Sequence, residues 1–500
     1  MESSKSYSDP KDHYGCIIIG AGMSGIAMAV QLKRKLAFTD IILYEKNDDV
    51  GGTWGRTSYP GCACDVPVGL YSFSFEPKGN FDSQWGSAEA IWSYIKDVQT
   101  KYEINQVVYR TAVESAHFSR ETGLWTVNVR LDSGETRTRT CNILISAAGI
   151  LSTPNPPPFD TSTFAGDVVH SGAWNPEVKL EGKDVVVVGN GCSAAQLIPT
   201  IADEVGSLTQ IARGRQSFLP AVPIPEGALY SFMVQWIPGF VYFMRLVLFL
   251  MLELDFQLMD VQKGKKRRES MYNLALNHMK SDAPREYWDF LLPEFEVGAK
   301  RRVIDRIGYL KSLGHSKLKL IAEQSLVSAH ENIVTTDKGV EIKADVVILC
   351  TGYKAQDFLF PLKIVNEKRE GVRERTCVSG FPNFFMLLGP NTATGHSSAL
   401  VTSECQISMV LELISPIIAK IRQLKLESVP PTVEVTAEAE QTFFDALRAE
   451  MKRKIWEQEP VGWYVDSKTG ICTTNYPWSQ IHFWRKAAWI NRGDFKWIGC

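Results

Sequence analysis

Residues Gly20-Ala21-Gly22-Met23-Ser24-Gly25 form a G-x-G-x-x-G turn, and Glu45 follows 20 residues after its last glycine. Glycines at these positions meet three separate needs: a tight turn, close backbone approach to a pyrophosphate, and packing of a helix on a strand. Amides at the helix N-terminus then face the phosphates, and an acid at the distance of Glu45 accepts hydrogen bonds from a ribose. The pattern returns at Gly189-Asn190-Gly191-Cys192-Ser193-Ala194, where Ala194 fills the position that only packs. No acid ends the strand that follows. Arg213 stands there instead, with Gly214 and Arg215 behind it, and a guanidinium suits the 2′-phosphate of NADPH, which a carboxylate would repel. Two dinucleotide sites in one chain predict hydride transfer between a nicotinamide and a flavin. The segment after Glu45, GGTWGRTSYPGCACDVPVGLYSFSF, is too rich in Gly, Pro and aromatics to stay regular for long. It predicts a loop wrapped round a large planar ligand, which assigns FAD to the first turn and NADPH to the second.

These turns need strands and helices to hold them. Cys16–Ile19, Ile41–Tyr44, Asp184–Val188 and Leu208–Ala212 are short apolar runs without alternation, the pattern of parallel strands covered on both faces. A helix built on Ile26, Val30 and Leu32 follows the first turn. Ile143–Ser146 and Val346–Cys350 end in small residues, as strands do where chain crossovers pass a bound nucleotide. The fold class is therefore α/β with two Rossmann-like dinucleotide-binding domains. At 500 residues the chain exceeds one growing core, so two or three domains are expected. A net charge of -2 excludes a nucleic-acid partner held through phosphates. The ten cysteines are scattered without zinc-ligand spacing, which predicts free thiols and no metal site. The polar start MESSKSYSDPKDHY lacks the apolar run of a signal peptide, so the expected location is cytoplasmic.

Between the two turns lies Phe164-Ala165-Gly166-Asp167-Val168-Val169-His170-Ser171-Gly172-Ala173-Trp174. It resembles the F-x-G-x-x-x-H-x-x-x-W fingerprint of the class B flavin monooxygenases, most closely the Baeyer–Villiger monooxygenases, although Asn175 departs from the family's next residue. The resemblance runs from Cys16 to about Trp484. It implies that Thr53 and Trp54 of Gly51-Gly52-Thr53-Trp54 wrap the flavin, that Tyr71 touches it, and that Val113 meets it through its backbone. Gly298-Ala299-Lys300-Arg301 is similar to the family's G-x-K-R, which makes Arg301 the active-site cation, with Asp65 holding it in place and Lys300 reaching toward the NADPH phosphate. The loop with Gly389-Pro390-Asn391 and Gly395-His396-Ser397 is implied to close over the flavin, and His170 and Trp174 to organise a domain linker. Gly214 departs from relatives that carry Thr or Ser beside the 2′-phosphate. By this resemblance NADPH reduces FAD, O2 adds at flavin C4a, and the peroxide inserts oxygen into a ketone. Its rivals are an N- or S-oxygenating monooxygenase, which product analysis with a thioether separates, a pyridine-nucleotide disulfide reductase, for which Cys62 and Cys64 are spaced too closely, and a catalytically silent flavin-binding protein. The implied domains are residues 1–155 with 381–500 for FAD, 156–215 with 300–380 for NADPH, and a helical insert, 216–299, over the substrate site.

That insert contains the most unusual composition. From Ile237 to Leu252 the only charge is Arg245. Crossing a bilayer takes about 20 apolar residues, and Pro238-Gly239 breaks the run. Helices buried over a hydrophobic substrate are the first expectation. Contact of residues 229–252 with a membrane surface is the second, helped by the basic run Lys263–Arg268. The expected partners are a hydrophobic small molecule and O2; oligomeric state leaves no mark on the sequence.

Overall fold

Strand His13–Ile19 is buried at every residue but its first, which explains its unbroken apolar run: Cys16 and Ile18 pack on the side covered by helices, Ile17 and Ile19 on the side covered by Phe118, Trp125 and Phe384, and the strand has no wet side. In this computed structural model, which describes residues 6–7, 9–79, 83–372, 377–423, 428–458, 462–466 and 468–500, that strand lies between Ile41–Tyr44 and the second half of Thr136–Ser146, parallel to both. Val107–Val108 extends the sheet on one side, and Phe384–Met386 pairs with residues 144–146 on the other. The first half of Thr136–Ser146 continues into an antiparallel meander with Leu124–Leu131 and Thr111–Ser119. Lys363–Val365 pairs outside Thr111–Ser119; it thus joins the first sheet, although it falls within the 300–380 stretch expected in the NADPH unit. Helix Met23–Leu36 packs against Ala399–Ile421. The latter is long and apolar enough to cross a membrane, but 61% of its apolar window is buried inside the protein, and it is a core helix.

The second sheet is wholly parallel, ordered Leu318–Ala322, Ser207–Ala212, Asp184–Val188, Val346–Leu349, Asp167–His170. The fingerprint segment therefore supplies an edge strand of this sheet and not a linker. His170 ends that strand, its Nδ1 accepting the Gly172 amide at 2.9 Å, and Trp174 packs against the core beneath. Burial lowers the His170 pKa to about 4, so the ring is neutral.

Between the halves of this sheet come helices Ala228–Trp236, Phe240–Leu254 and Lys265–Asp282. The first two meet at 117° across Pro238-Gly239. Their expected burial is corrected by the structure: only one face is covered. Tyr230, Arg245 and Leu248 are buried, whereas Leu229 is 73% and Trp236 65% exposed. A helix that is apolar all round gives no sign in sequence of which side meets protein.

Candidate active site between two glycine turns

The first turn is held by its own backbone and by Glu45. Gly20 has φ +100, and a Cβ there would stand 2.8 Å from the Ala147 carbonyl oxygen. Buried Glu45 accepts the Ala21 amide at 2.8 Å and the Asn47 amide at 2.9 Å, which leaves acceptor capacity on the oxygen beside the turn. The Gly51 amide returns to the Ala21 carbonyl at 3.0 Å, so the one-turn helix Thr53–Arg56 starts next to the glycines. Trp54 Nε1 donates to the Tyr71 hydroxyl at 3.1 Å with the rings edge to face. Val113 sits on Thr111–Ser119, anchored beside the acid because the Thr111 amide donates to the Glu45 carbonyl at 2.9 Å. The structure thus brings Thr53, Trp54 and Tyr71 together beside the turn, whereas Val113 lies two residues along the strand from the Thr111–Glu45 bond and packs in another part of the core.

At the second turn Gly189 has φ +118, and a Cβ would meet the Cys350 carbonyl oxygen at 2.5 Å. Cys192, Ser193 and Ala194 open helix Cys192–Ile201, and a Cβ on Gly191 would meet nothing within 4 Å. Arg213 is exposed and, among the described residues, makes no hydrogen bond or ion pair. Arg215 is committed to Glu294 at 2.9 Å and Glu323 at 3.1 Å. Lys300 Nζ lies over the Phe295 ring and donates at 3.3 Å to the Arg215 carbonyl, two residues along the chain from the arginine expected to read the 2′-phosphate.

Arg301 joins the two turns. Its Nη2 donates to Asp65 Oδ2 at 2.6 Å, both side chains partly buried. The Trp463 ring lies 5.7 Å from the guanidinium. Arg302 donates to the Gly395 carbonyl at 2.9 Å, and Cys192 Sγ donates to the Arg302 carbonyl at 3.7 Å. Burial alone would push Asp65 upward, but the charge and hydrogen bond of Arg301 hold it below the usual carboxylate range. Asp65 in turn raises the already high Arg301 pKa, outweighing burial. The result is a fixed guanidinium between the turns that stays charged at any working pH.

A sequence profile for an NAD(P)-binding Rossmann-like domain matches residues 18–83, and one for L-lysine 6-monooxygenase/L-ornithine 5-monooxygenase matches residues 92–220. An uncharacterised monooxygenase of Sinorhizobium fredii is 30% identical, over 96% of this chain and 75% of its own. A Baeyer–Villiger monooxygenase of Streptomyces coelicolor is 27% identical, over 97% and 93%. The chain belongs to the FAD-binding monooxygenases of the Baeyer–Villiger group. The closed structure of a cyclohexanone monooxygenase shares its fold, with a TM-score of 0.82 at 21% identity over 98% of this chain and 100% of that one.

The residues of this monooxygenase fit two dinucleotides. Space is open above Gly191, and among the described residues Arg213 is uncommitted and buried polar atoms on the late loop, Thr394 Oγ1 and Ser397 Oγ, have no partner. Such orphaned atoms are costly unless a ligand satisfies them. Three site features carried no signal in the sequence. Gln196 Oε1 accepts from the Tyr59 hydroxyl at 2.8 Å and the Ala63 amide at 3.3 Å, while its Nε2 donates to the Ala63 carbonyl at 3.0 Å. It clamps the flavin loop to the helix of the second turn. Trp463 over Arg301 and the Arg302–Gly395 bond are the others, all between residues far apart in the chain. Cys62 and Cys64 are free thiols. Burial pushes Cys62 up to about 11 and Cys64 higher still, which makes them poor thiol–disulfide partners. His278, Asp282 and Asp305 converge within metal-ligand reach, yet Asp305 already takes the Tyr309 amide at 2.6 Å and Lys311 faces Asp282 at 3.6 Å. That cluster reads as a helix cap.

Proposed function

We propose that this FAD- and NADPH-dependent monooxygenase converts a hydrophobic ketone into an ester or lactone, with Arg301 and Asp65 as its chemical machinery. The carrying observation is the charge-locked Arg301–Asp65 pair between the two cradles. A flavin bound at the first turn would supply O2 activation and a nicotinamide at the second would supply hydride. The protein's part is then electrostatic. Attack on a carbonyl places negative charge on oxygen twice, on the attacking atom and on the former carbonyl oxygen, and a preorganised cation in a site shielded from water stabilises both. Asp65 positions the guanidinium, so no reorganisation is needed as the charge develops. Gln196 fixes the distance between the turns, Arg213 and Lys300 take the 2′-phosphate, and Thr53, Trp54, Tyr71 and Val113 hold the ring system of the flavin.

Losing one such donor costs about 2.7–4 kcal/mol in the barrier. Arg301→Ala is therefore expected to bind FAD and be reduced by NADPH at the normal rate while ketone oxygenation falls ~100-fold or more. Normal oxygenation in stopped-flow traces would remove Arg301 from the mechanism. The match of residues 92–220 to amine N-monooxygenases favours N-oxygenation as the second reading. Parallel incubation with a ketone, a thioether and a primary amine decides between them, because only the first requires attack by an anion.

A further inference from the structure

The insert carries a surface that oxygenation chemistry does not use. Between Ala228 and Leu254 the only charged residues are Arg245 and Glu253, and both turn inward. Arg245 Nη1 donates to the Gly69 and Ser72 carbonyls at 2.7 and 2.8 Å. Glu253 accepts from His396 at 3.0 Å and from the Ile481 amide at 3.0 Å. Val234 and Val241 pack over Gly79. What remains outward is uncharged and large. Leu229, Phe232 and Trp236 recur at helical spacing on the first helix, each more than half exposed. Phe243, Leu246, Leu250 and Leu254 form one stripe on the second, 46–59% exposed. The stripe continues onto helix Gln480–Ala488, whose first turn Glu253 caps: Ile481 is 40%, Trp484 50% and neighbouring Trp489 66% exposed. Soluble surfaces rarely leave so long an apolar face open.

Its rim is basic. Lys263, Lys265 and Lys266 are exposed at the start of Lys265–Asp282, and an Arg267–Asp255 ion pair at 2.5 Å staples that start to the end of the apolar stripe. Arg485 and Lys486 are exposed next to Trp484. We propose that this face docks onto an anionic phospholipid bilayer, the helix pair lying in the interface with its lysine rim on the headgroups. A second copy of the chain would bring like charges together around the same face. A span does not fit this arrangement: the α-helix Phe240–Leu254 reaches about 22 Å against about 30 Å of hydrocarbon, its continuation to Met259 opens with Asp255 paired to Arg267 and ends buried in protein, and the pair bends by 117° with its inner side fastened to protein. Apolar burial, tryptophans at the headgroup level and flanking lysines together make an interfacial anchor.

Flotation of the FAD-loaded full chain with vesicles of phosphatidylcholine, or of phosphatidylcholine with phosphatidylserine, tests this. Wild type is expected to float with the anionic vesicles, less with neutral ones, and to be released by high salt. Phe243→Glu with Leu246→Glu should abolish flotation while flavin content and NADPH oxidation stay at wild-type levels. Lys265→Glu with Lys266→Glu should weaken binding to anionic vesicles by roughly tenfold or more. Wild type that stays with neither vesicle overturns the proposal. So does flotation that Phe243→Glu with Leu246→Glu leaves intact, or a dimer in solution that those substitutions split without any vesicle binding.

Discussion

Asp65 and Arg301 illustrate how much one ion pair can be asked to do. The folded-state pKa of Asp65 is depressed, so the pair's contribution is complete above the ordinary carboxylate value, about 3.9, and fades only as pH falls through the lower folded value. From mildly acid to alkaline pH both partners stay charged, and any pH limb on oxygenation in that range must come from other groups. Asp65→Asn keeps an acceptor for Arg301 but removes the charge that positions it. It is expected to lower ketone oxygenation by roughly 10-fold, the scale seen when a supporting group is lost, with FAD content unchanged. Steady-state kinetics with a quantified ester product checks this, and an unaltered kcat would show that Arg301 is held by packing alone. The pair was legible in sequence only through resemblance: nothing in the residues around Asp65 points to a partner 236 positions away. Trp463 and the Arg302–Gly395 contact were invisible for the same reason.

At the scale of elements, the sequence was most readable where strands are buried on both sides. Ile41–Tyr44 and Asp184–Val188 come out with the bounds their apolar runs suggest, because a run covered on both faces begins and ends where burial does. Helices that are apolar all round were readable as helices but not as to which face is wet. The linker role of the fingerprint segment came from resemblance, and its strand, Asp167–His170, is only four residues long and opens with a charge, too little apolar pattern to announce a strand. Elements must also be held relative to one another, and Gln196 does this between the flavin loop and helix Cys192–Ile201. Gln196→Leu keeps the volume but strands the Tyr59 hydroxyl and the Ala63 amide in a buried site. An unmade buried hydrogen bond costs about 1–3 kcal/mol, so the thermal midpoint should fall. Because the clamp sets how the two cradles face each other, NADPH-driven flavin reduction should slow even in protein that retains full FAD. A lowered midpoint with a normal reduction rate would leave Gln196 a purely structural residue.

For the whole molecule, the decisive joint is where insert, late loop and C-terminal helix meet. Glu253 ends the apolar helix, accepts from His396 of the late loop, and caps helix Gln480–Ala488 through the Gln480 and Ile481 amides at 3.1 and 3.0 Å. Three segments that share no sequence pattern thus converge on one carboxylate. Burial would raise its pKa, but the His396 bond and the backbone donors hold it down. Its stabilisation is therefore present above the ordinary glutamate value, about 4.3, and is lost as pH falls through the lower folded one. Glu253→Gln preserves the shape while turning one acceptor into a donor that faces other donors. Hydrogen bonds to charged groups are worth about 1.5–3 kcal/mol, so the variant should melt earlier at neutral pH and show a shallower loss of stability below about pH 4.3 than the wild type. Since the same carboxylate ties the late loop in place, FAD should also dissociate faster from the variant on dilution. Parallel melting curves across that pH window, with flavin release followed by fluorescence, separate the two effects. A variant with lower stability but wild-type flavin retention would mean that the insert is fastened to the C-terminal helix alone, and that the late loop is positioned by Arg302 and not by the insert.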